Sequence, residues 1–560
     1  MLGMVSITNH IEAIGNRTDW LNKALPTLEE EMPNVSIVMP YYRRPHTILQ
    51  ALHSLSRVDY DLSKIKVIIV DDGSPKEEFP SLGDFNTTFD IKYVYQEDKG
   101  YRVAAARNLG VAHAQHEFVI LLDCDLSVKP SFVKDHIERL YNHAYVVSIG
   151  LRNSHGAVHV EELDLFSQKC PSQIGSKISE DWRIQRIADT PQVLESNSSW
   201  RLCSGGNIGF RKSTFIHIGE FNERFNFWGG EDTEWAYRAY KRGVYFALIP
   251  NVHAVHFDCL TSEYQVDRDT DRQKKNTLLR DLVPLYSKSE HMKGEVPYVS
   301  IFVTHYNKLE FLHTALKSIL EATSYRFEIV LVDDCSDCTI EDIRSQVPTG
   351  ILPHLKFKRL EQHKGAELAY KEAISLCDGE YIAQLDADDY LLPKAIDKLI
   401  FKLRKCDADI AYGKYKVLKE GELIDGWSCK STREMRLLRG MHYHPLRVFR
   451  SRAIHRVGGM RILGLEGAVD FSLYSQMELA CKAVFCDVFT YVYRQVEDSI
   501  TSTNFAAQVE GVRKVIEDNA NLLSATKDYK ITQVKERLYN VEFSEQDTVG
   551  YTKHLGLTKK

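Results

Sequence analysis

The stretch "FVILLDCDLSVKP", residues 118–130, decides how this chain folds. Five apolar residues, Phe118 to Leu122, run straight into Asp123-Cys124-Asp125. A short apolar run of this kind reads as a strand buried on both faces. Its end turns two carboxylates out of the core. Alternate residues of an extended segment point the same way, so Asp123 and Asp125 converge while Cys124 faces back. The pattern returns at 381–393, "YIAQLDADDYLLP", with Asp386 and Asp388 at the same spacing. A half-buried carboxylate needs a partner or a metal. Two hard oxygen donors suit Mg²⁺ or Mn²⁺ shared with substrate phosphates.

Working outward, the recurrence is general. "VSIVMPYYRRPHTILQALHSL" (35–55) reads like "VSIFVTHYNKLEFLHTALKSIL" (299–320), and "KVIIVDDGS" (66–74) like "EIVLVDDCS" (328–336). Asp72 matches Asp334 at an offset of 262, and Asp123 matches Asp386 at 263. A repeat of this length implies two homologous domains. In each, a β-branched strand, an amphipathic helix, a strand ending in Asp-Asp, a Gly-containing loop with a helix and a strand ending in Asp-x-Asp follow one another. Strand alternating with helix predicts parallel strands in an α/β sheet, with ligands beyond the carboxyl ends of the strands. Both acidic motifs lie there. Asp72, followed by Gly73-Ser74, is placed to meet a base or ribose, or else to cap a turn. Arg107 faces phosphate or pairs with an Asp.

The chain has 560 residues, 44% hydrophobic and 26% charged, with a formal net charge of −6. That balance gives nucleic acid no basic surface. No apolar run reaches a membrane span, and "MLGMVSITNHIEAIGN" lacks a signal peptide's basic and apolar regions. The cytosol is the expected compartment. A peripheral place at the inner face of the membrane, beside an export complex, is kept open without support from charge. The eleven Cys are read as free thiols; Cys335 and Cys338 have no second pair at zinc-site spacing.

"VDDGS", "AAARNLG", "LLDCD" and "WGGED" resemble the inverting nucleotide-sugar glycosyltransferases that include cellulose, chitin and hyaluronan synthases. "DWRIQRI" (181–187), "SGGNIGF" (204–210) and "VHAVHFD" (252–258) are similar to the first domain of soluble bacterial glycosaminoglycan polymerases; "HPLRVFRSRAIHRVGG" (444–459) and "EGAVDFSLY" (466–474) are similar to the second. The resemblance implies two tandem GT-A domains, a Rossmann-like α/β fold, over 33–290 and 295–505. Helical segments are expected over 1–32 and 506–560. It also implies UDP-sugar donors, a growing oligosaccharide acceptor and Mn²⁺ or Mg²⁺.

Carried onto matching positions, the resemblance makes Asp232 and Asp470 the bases, and Asp125, His256 and Asp388 the metal ligands. Pro40, Tyr42, Asp72, Arg107 and Asp123 then line the first nucleotide; Thr304, Tyr306, Asp334 and Asp386 line the second. Asn207, Trp228, Gly230 and Glu231 meet the acceptor in the first domain. His444 and Arg447 belong to a basic cluster with Arg450 and Arg452 that suits a glucuronate carboxylate. From Asp123 to Asp232 is 109 residues, but from Asp386 to Asp470 only 84, which points to a different acceptor wall. Val496 is expected where a His ligand would stand, with Glu497 and Asp498 nearby. The reading is a polymerase alternating N-acetylhexosamine with glucuronate, the hexosamine epimer left open. Its alternatives are a capsule or lipopolysaccharide transferase using other sugars, and one active domain beside a glycan-binding scaffold.

Overall fold

Val35–Tyr41 (β1) and Ile65–Asp71 (β2) are rich in β-branched residues buried on both faces, as strands inside a parallel sheet must be. They pair in parallel, Val35 opposite Ile65 through Tyr41 opposite Asp71. Between them Pro45–Leu55 (α1) crosses the sheet and buries Ile48, Leu52 and Leu55. Asp90–Tyr95 (β3) adds outside β2. Val103–His113 (α2) then carries the chain back, and Phe118–Leu122 (β4) pairs with the free edge of β1. The direction of winding therefore reverses between β1 and β4, the crevice where open α/β sheets hold their ligands.

The computed structural model describes residues 32–83, 85–141, 144–158, 178–189, 198–259, 268–284, 298–428, 430–495, 504–524, 529–535 and 537–544. These fall into two compact units, one within Asn16–Val283 and one within Pro284–Lys560.

In the first unit, β4 is followed by Leu126–Val128 (β5), Phe132–Leu140 (α3), Val146–Val158 (β6), Ile178–Ser179 (β7), Asn207–Arg211 (β8), Glu231–Lys241 (α4), Tyr245–Cys259 (β9) and Arg268–Leu282 (α5). The sheet order is β3-β2-β1-β4-β8-β6-β9-β5, with β7 on β6. The expected parallel sheet runs unbroken from β3 to β4 and returns where β6 pairs in parallel with β9. Between the two, β8 runs antiparallel to both β4 and β6. Local periodicity identifies a strand but not its direction, and antiparallel neighbours need no crossover helix to announce them.

The second unit repeats this plan. Val299–His305 (β10), Leu309–Ala322 (α6), Phe327–Asp333 (β11), Leu355–Arg359 (β12), Ala366–Ser375 (α7) and Tyr381–Asp386 (β13) form its parallel half. Tyr390–Leu391 (β14), Ala395–Cys406 (α8), Ile410–Lys419 (β15), Glu422–Asp425 (β16), Arg447–Arg450 (β17), Val469–Ala480 (α9) and Ala483–Arg494 (β18) complete it. Its order, β12-β11-β10-β13-β17-β15-β18-β14 with β16 on β15, matches the first strand for strand. Phe505–Leu523 (α10) then packs Val512, Val515 and Ile516 into the core that holds Val469, Phe471 and Tyr474. The C-terminal segment, expected to be helical, is so over α10 and then forms an antiparallel hairpin, Tyr529–Lys535 (β19) with Leu538–Phe543 (β20). The expected N-terminal helix lies outside the described residues. No helix among the described residues is long and apolar enough to cross a membrane. Cys335 and Cys338 are both unpaired.

Candidate active sites

At the end of β2 two adjacent acids divide the work. Asp71 is fully buried and accepts the backbone N–H groups of Gly73 and Ser74 and the Tyr93 hydroxyl; it builds the turn. Asp72 reaches toward the crevice, accepting from Arg102 N at 2.9 Å and Gln96 Nε2 at 2.5 Å. Burial raises its carboxyl, against the hydrogen bonds that lower it. Pro40 is half-buried one residue before the end of β1, opposite Val70, and Tyr42 donates to Asp98 at 2.9 Å.

Beyond β4, Asp123 and Asp125 take different partners. Arg107 on α2 is buried and donates to Asp123 Oδ1 at 3.0 Å and to Glu231 Oε1 at 2.7 Å. Of its two expected roles, the structure gives it the ion pair, with carboxylates on both sides. The backbone of Gly205-Gly206 lies against this bridge: a Cβ on Gly206 would fall 2.0 Å from Asp123 Oδ2, and one on Gly205 2.5 Å from Arg107 Nη1. No side chain fits there. Asp125 Oδ2 lies 3.3 Å from His256 Nε2 and 2.6 Å from Arg44 Nη1. The β5–β9 pairing sets Leu126 opposite His256 and so delivers the imidazole to the acid. Burial works to raise the Asp125 carboxyl; His256 and then Arg44 outweigh it and hold it below the ordinary range. Its Oδ1 is buried with no hydrogen-bond partner. A carboxylate with one orphaned oxygen beside an imidazole fits a divalent cation. No cluster of three or more such ligands occurs among the described residues, so diphosphate and water would complete the shell.

The helix α4 starts at Glu231, with Gly230 as its N-cap at φ 101°. Asp232 is therefore in the first turn and not the cap. Its Oδ1 accepts from Thr233 N at 2.7 Å and Thr233 Oγ1 at 3.3 Å, while its Oδ2 accepts from Gly205 N at 3.1 Å and keeps a lone pair. Trp228 is exposed two residues before the cap. Asn207 is a correction. It is buried, its Oδ1 3.0 Å from His136 Nε2 and its Nδ2 donating to the Leu151 carbonyl. It braces β8 from behind the site.

In the second unit Asp333 and Asp334 repeat the division. Asp333 is sealed by His305, Ser336 and Arg359, while Asp334 accepts from Lys364 N and Gly365 N, each at 2.8 Å. Thr304 is half-buried near the end of β10. Tyr306 is exposed and stacks on His363 with ring centroids 4.0 Å apart. Asp386 differs from Asp123: it is met by the Tyr370 hydroxyl at 3.1 Å and by Gln384 Nε2 at 3.1 Å. Tyr370 takes the place of Arg107. The guanidinium comes instead from β17, where Arg447 Nη2 donates to Asp470 Oδ2 at 2.7 Å. Asp470 is in the first turn of α9 behind an αL N-cap, Ala468, as Asp232 is behind Gly230. Burial and Asp386 raise the carboxyl of Asp388, and burial with both neighbours raises that of Asp389. Carboxyls crowded in this way are relieved by a divalent cation. Asp389 was missed by the sequence reading, although "DADD" spells it out.

The basic cluster of the second unit divides. Arg450 is buried on Glu380, and Arg452 on Asp409; both are interior ion pairs, not uronate contacts. His444 is buried among Tyr412, Tyr415 and Trp427. Burial, then Arg447 and His442, push its pKa down to about 4, so it is neutral at physiological pH. Val496, Glu497 and Asp498 lie outside the described residues. The β14–β18 register, Tyr390 opposite Val492, places Tyr493 where His256 stands in the first unit.

Residues 36–219 and 300–464 match the model of glycosyl transferase family 2, one match in each unit. Residues 189–258 also match the N-terminal domain of galactosyltransferase. The chain is 31% identical over 545 residues to the chondroitin synthase of Escherichia coli, covering 92% of this chain and 78% of that protein. It is 29% identical over 475 residues to the hyaluronan synthase of Pasteurella multocida, covering 80% and 48%. It is 30% identical over 468 residues to the chondroitin synthase of Pasteurella multocida strain Pm70, covering 79% and 48%. The chain thus spans about half the length of the two Pasteurella relatives. With more than half its length matched, and the matched fold built twice around the same acids, the chain belongs to glycosyl transferase family 2 and carries that family's domain in duplicate.

Proposed function

We propose that the chain polymerises an alternating polysaccharide. The first unit transfers an N-acetylhexosamine from its UDP-sugar, and the second transfers glucuronate from UDP-glucuronic acid, both with inversion and both on a growing oligosaccharide. The observation that carries this is the pair of complete but unequal sites. The same strand ends and helix starts recur, with the guanidinium moved from α2 to β17 and the His256 position changed to tyrosine.

In each unit the nucleotide lies over the β1/β4 or β10/β13 crevice, against Asp72 or Asp334. Asp232 or Asp470 takes the proton of the acceptor hydroxyl. The oxygen then attacks the anomeric carbon from the face opposite the diphosphate, whose bond to that carbon breaks. Asp125 with His256, or Asp388 beside Asp386, would hold Mn²⁺ or Mg²⁺, which supplies a Lewis acid for charge on the departing diphosphate. After binding Asp470, the Tyr443 carbonyl and Gln384 Oε1, the buried Arg447 guanidinium keeps two N–H groups for a donor carboxylate. Because UDP-sugars are soluble cytosolic donors, the chain works in the cytosol.

Tyr493 in place of a histidine favours a second reading, in which the second unit binds glycan without transferring. One experiment separates them. Purified Asp125→Ala and Asp388→Ala chains are given both UDP-sugars, Mn²⁺ and short acceptors. Each variant is expected to lose one sugar only. If Asp388→Ala changes nothing, the second unit is a scaffold.

A further inference from the structure

The helix α5 lies directly against the acceptor side of the first site. Its Asp271 accepts the backbone N–H of Trp228 at 3.0 Å. The stem of Lys275 runs along the two glycines before the base: a Cβ on Gly230 would meet Lys275 Cγ at 2.8 Å, and one on Gly229 would meet Lys275 Cδ at 3.5 Å. Lys275 Nζ lies 5.3 Å from the centre of the Trp228 ring, and Arg268 Cζ lies 5.5 Å from it. Two cations therefore lie beside one exposed aromatic ring, four residues before Asp232. Two other cations of the helix are paired within it, Arg272 with Asp269 and Lys274 with Asp271. Lys275 and Arg268 have no carboxylate partner among the described residues.

A sugar stacked on Trp228 with its hydroxyl toward Asp232 brings its ring substituents between these two groups. A neutral sugar leaves both charges unanswered; a hexuronate answers them with its carboxylate. The second unit has the opposite sign at this place. Counting back from Asp470 as from Asp232, the position of Trp228 is taken by Glu466, which is exposed. A carboxylate there repels a uronate end and tolerates a neutral one.

We propose that Lys275 and Arg268 read the carboxylate of a terminal uronate on the acceptor, so that the first unit extends only the end that the second unit makes. The proposal rests on the polymerase reading and adds its rule of alternation: the order of sugars is set at the acceptor by charge.

The test uses the full chain supplied with the hexosamine donor alone, which leaves the second unit idle. Two acceptors are compared, one ending in glucuronate and one ending in glucose, where CH₂OH replaces the carboxylate. Lys275→Met keeps the stem and removes the charge. It is expected to raise KM for the glucuronate-ended acceptor about tenfold, as loss of a charge-assisted hydrogen bond does. The preference over the glucose-ended acceptor should fall by the same factor, and Lys275→Arg should restore it. Arg268→Met should act in the same direction. An equal loss on both acceptors, or no loss on either, overturns the assignment while leaving the polymerase reading intact. A wild-type chain that extends no glucuronate-ended acceptor overturns both.

Discussion

Glu231 holds its proton up to about pH 7, because burial and the adjacent Asp232 carboxylate outweigh the stabilising Arg107. A carboxyl raised in the folded state contributes stability below its unfolded pKa and loses it as pH rises through the folded value. Wild-type stability should therefore fall across the range from 4.5 to about 7. Glu231→Gln removes that slope, so its melting temperature relative to wild type should climb through this window and level off above it. Thermal melts of the full chain, following the transition of the first unit, check this; parallel pH profiles would dismiss the assignment. The same residue shows what sequence could not give. Arg107 reads equally well as a phosphate contact or an ion pair. Glu231, 124 positions away, decides between them, and only the fold brings it there. Asn207 misled for a related reason, since a motif position says nothing about which face of a strand it occupies.

At the scale of elements, the two base helices start from the same left-handed N-cap with different residues. Gly230 has φ 101° and no room for a Cβ, with Phe225 Cε1 2.9 Å from where one would stand. Ala468 has φ 61° and carries one. Gly230→Ala should destabilise the first unit by about 2–3 kcal/mol, from left-handed strain plus contact with Lys275 and Phe225. Ala468→Gly should be neutral or stabilising by up to about 1 kcal/mol in the second. Denaturant melts measure both, and equal effects would mean that the caps are not strained as described. Strands and helices around the acidic motifs were legible because their periods and endings are local. Strand direction past β4 and past β13 was not, because pairing partners there are set by contacts distant in sequence. The C-terminal hairpin lacked a signal strong enough to override the helical pattern before it.

For the whole molecule, duplication was readable from three landmarks in register, and the divergence of the two halves only from the structure. Chelation by EDTA should stop both transfers. On restoring Mn²⁺, the second sugar should need more metal for half-maximal incorporation, since Tyr493 replaces an imidazole. Each half-reaction is titrated with the opposite metal aspartate changed to alanine. Equal requirements would mean that another ligand, Asp389 foremost, fills the gap. The position of α10 has a consequence for synthesis. Every residue of the first site precedes Val283, whereas the second needs α10, whose Gly511 is packed against the carbonyl of Gly467 beside its base loop. During synthesis the residues of the first site are all in place by Val283, whereas α10 begins more than 200 residues later, at Phe505. On the proposed reading, a chain cut short within that interval would add one sugar and then stop, ending the polymer that the two-unit chain extends.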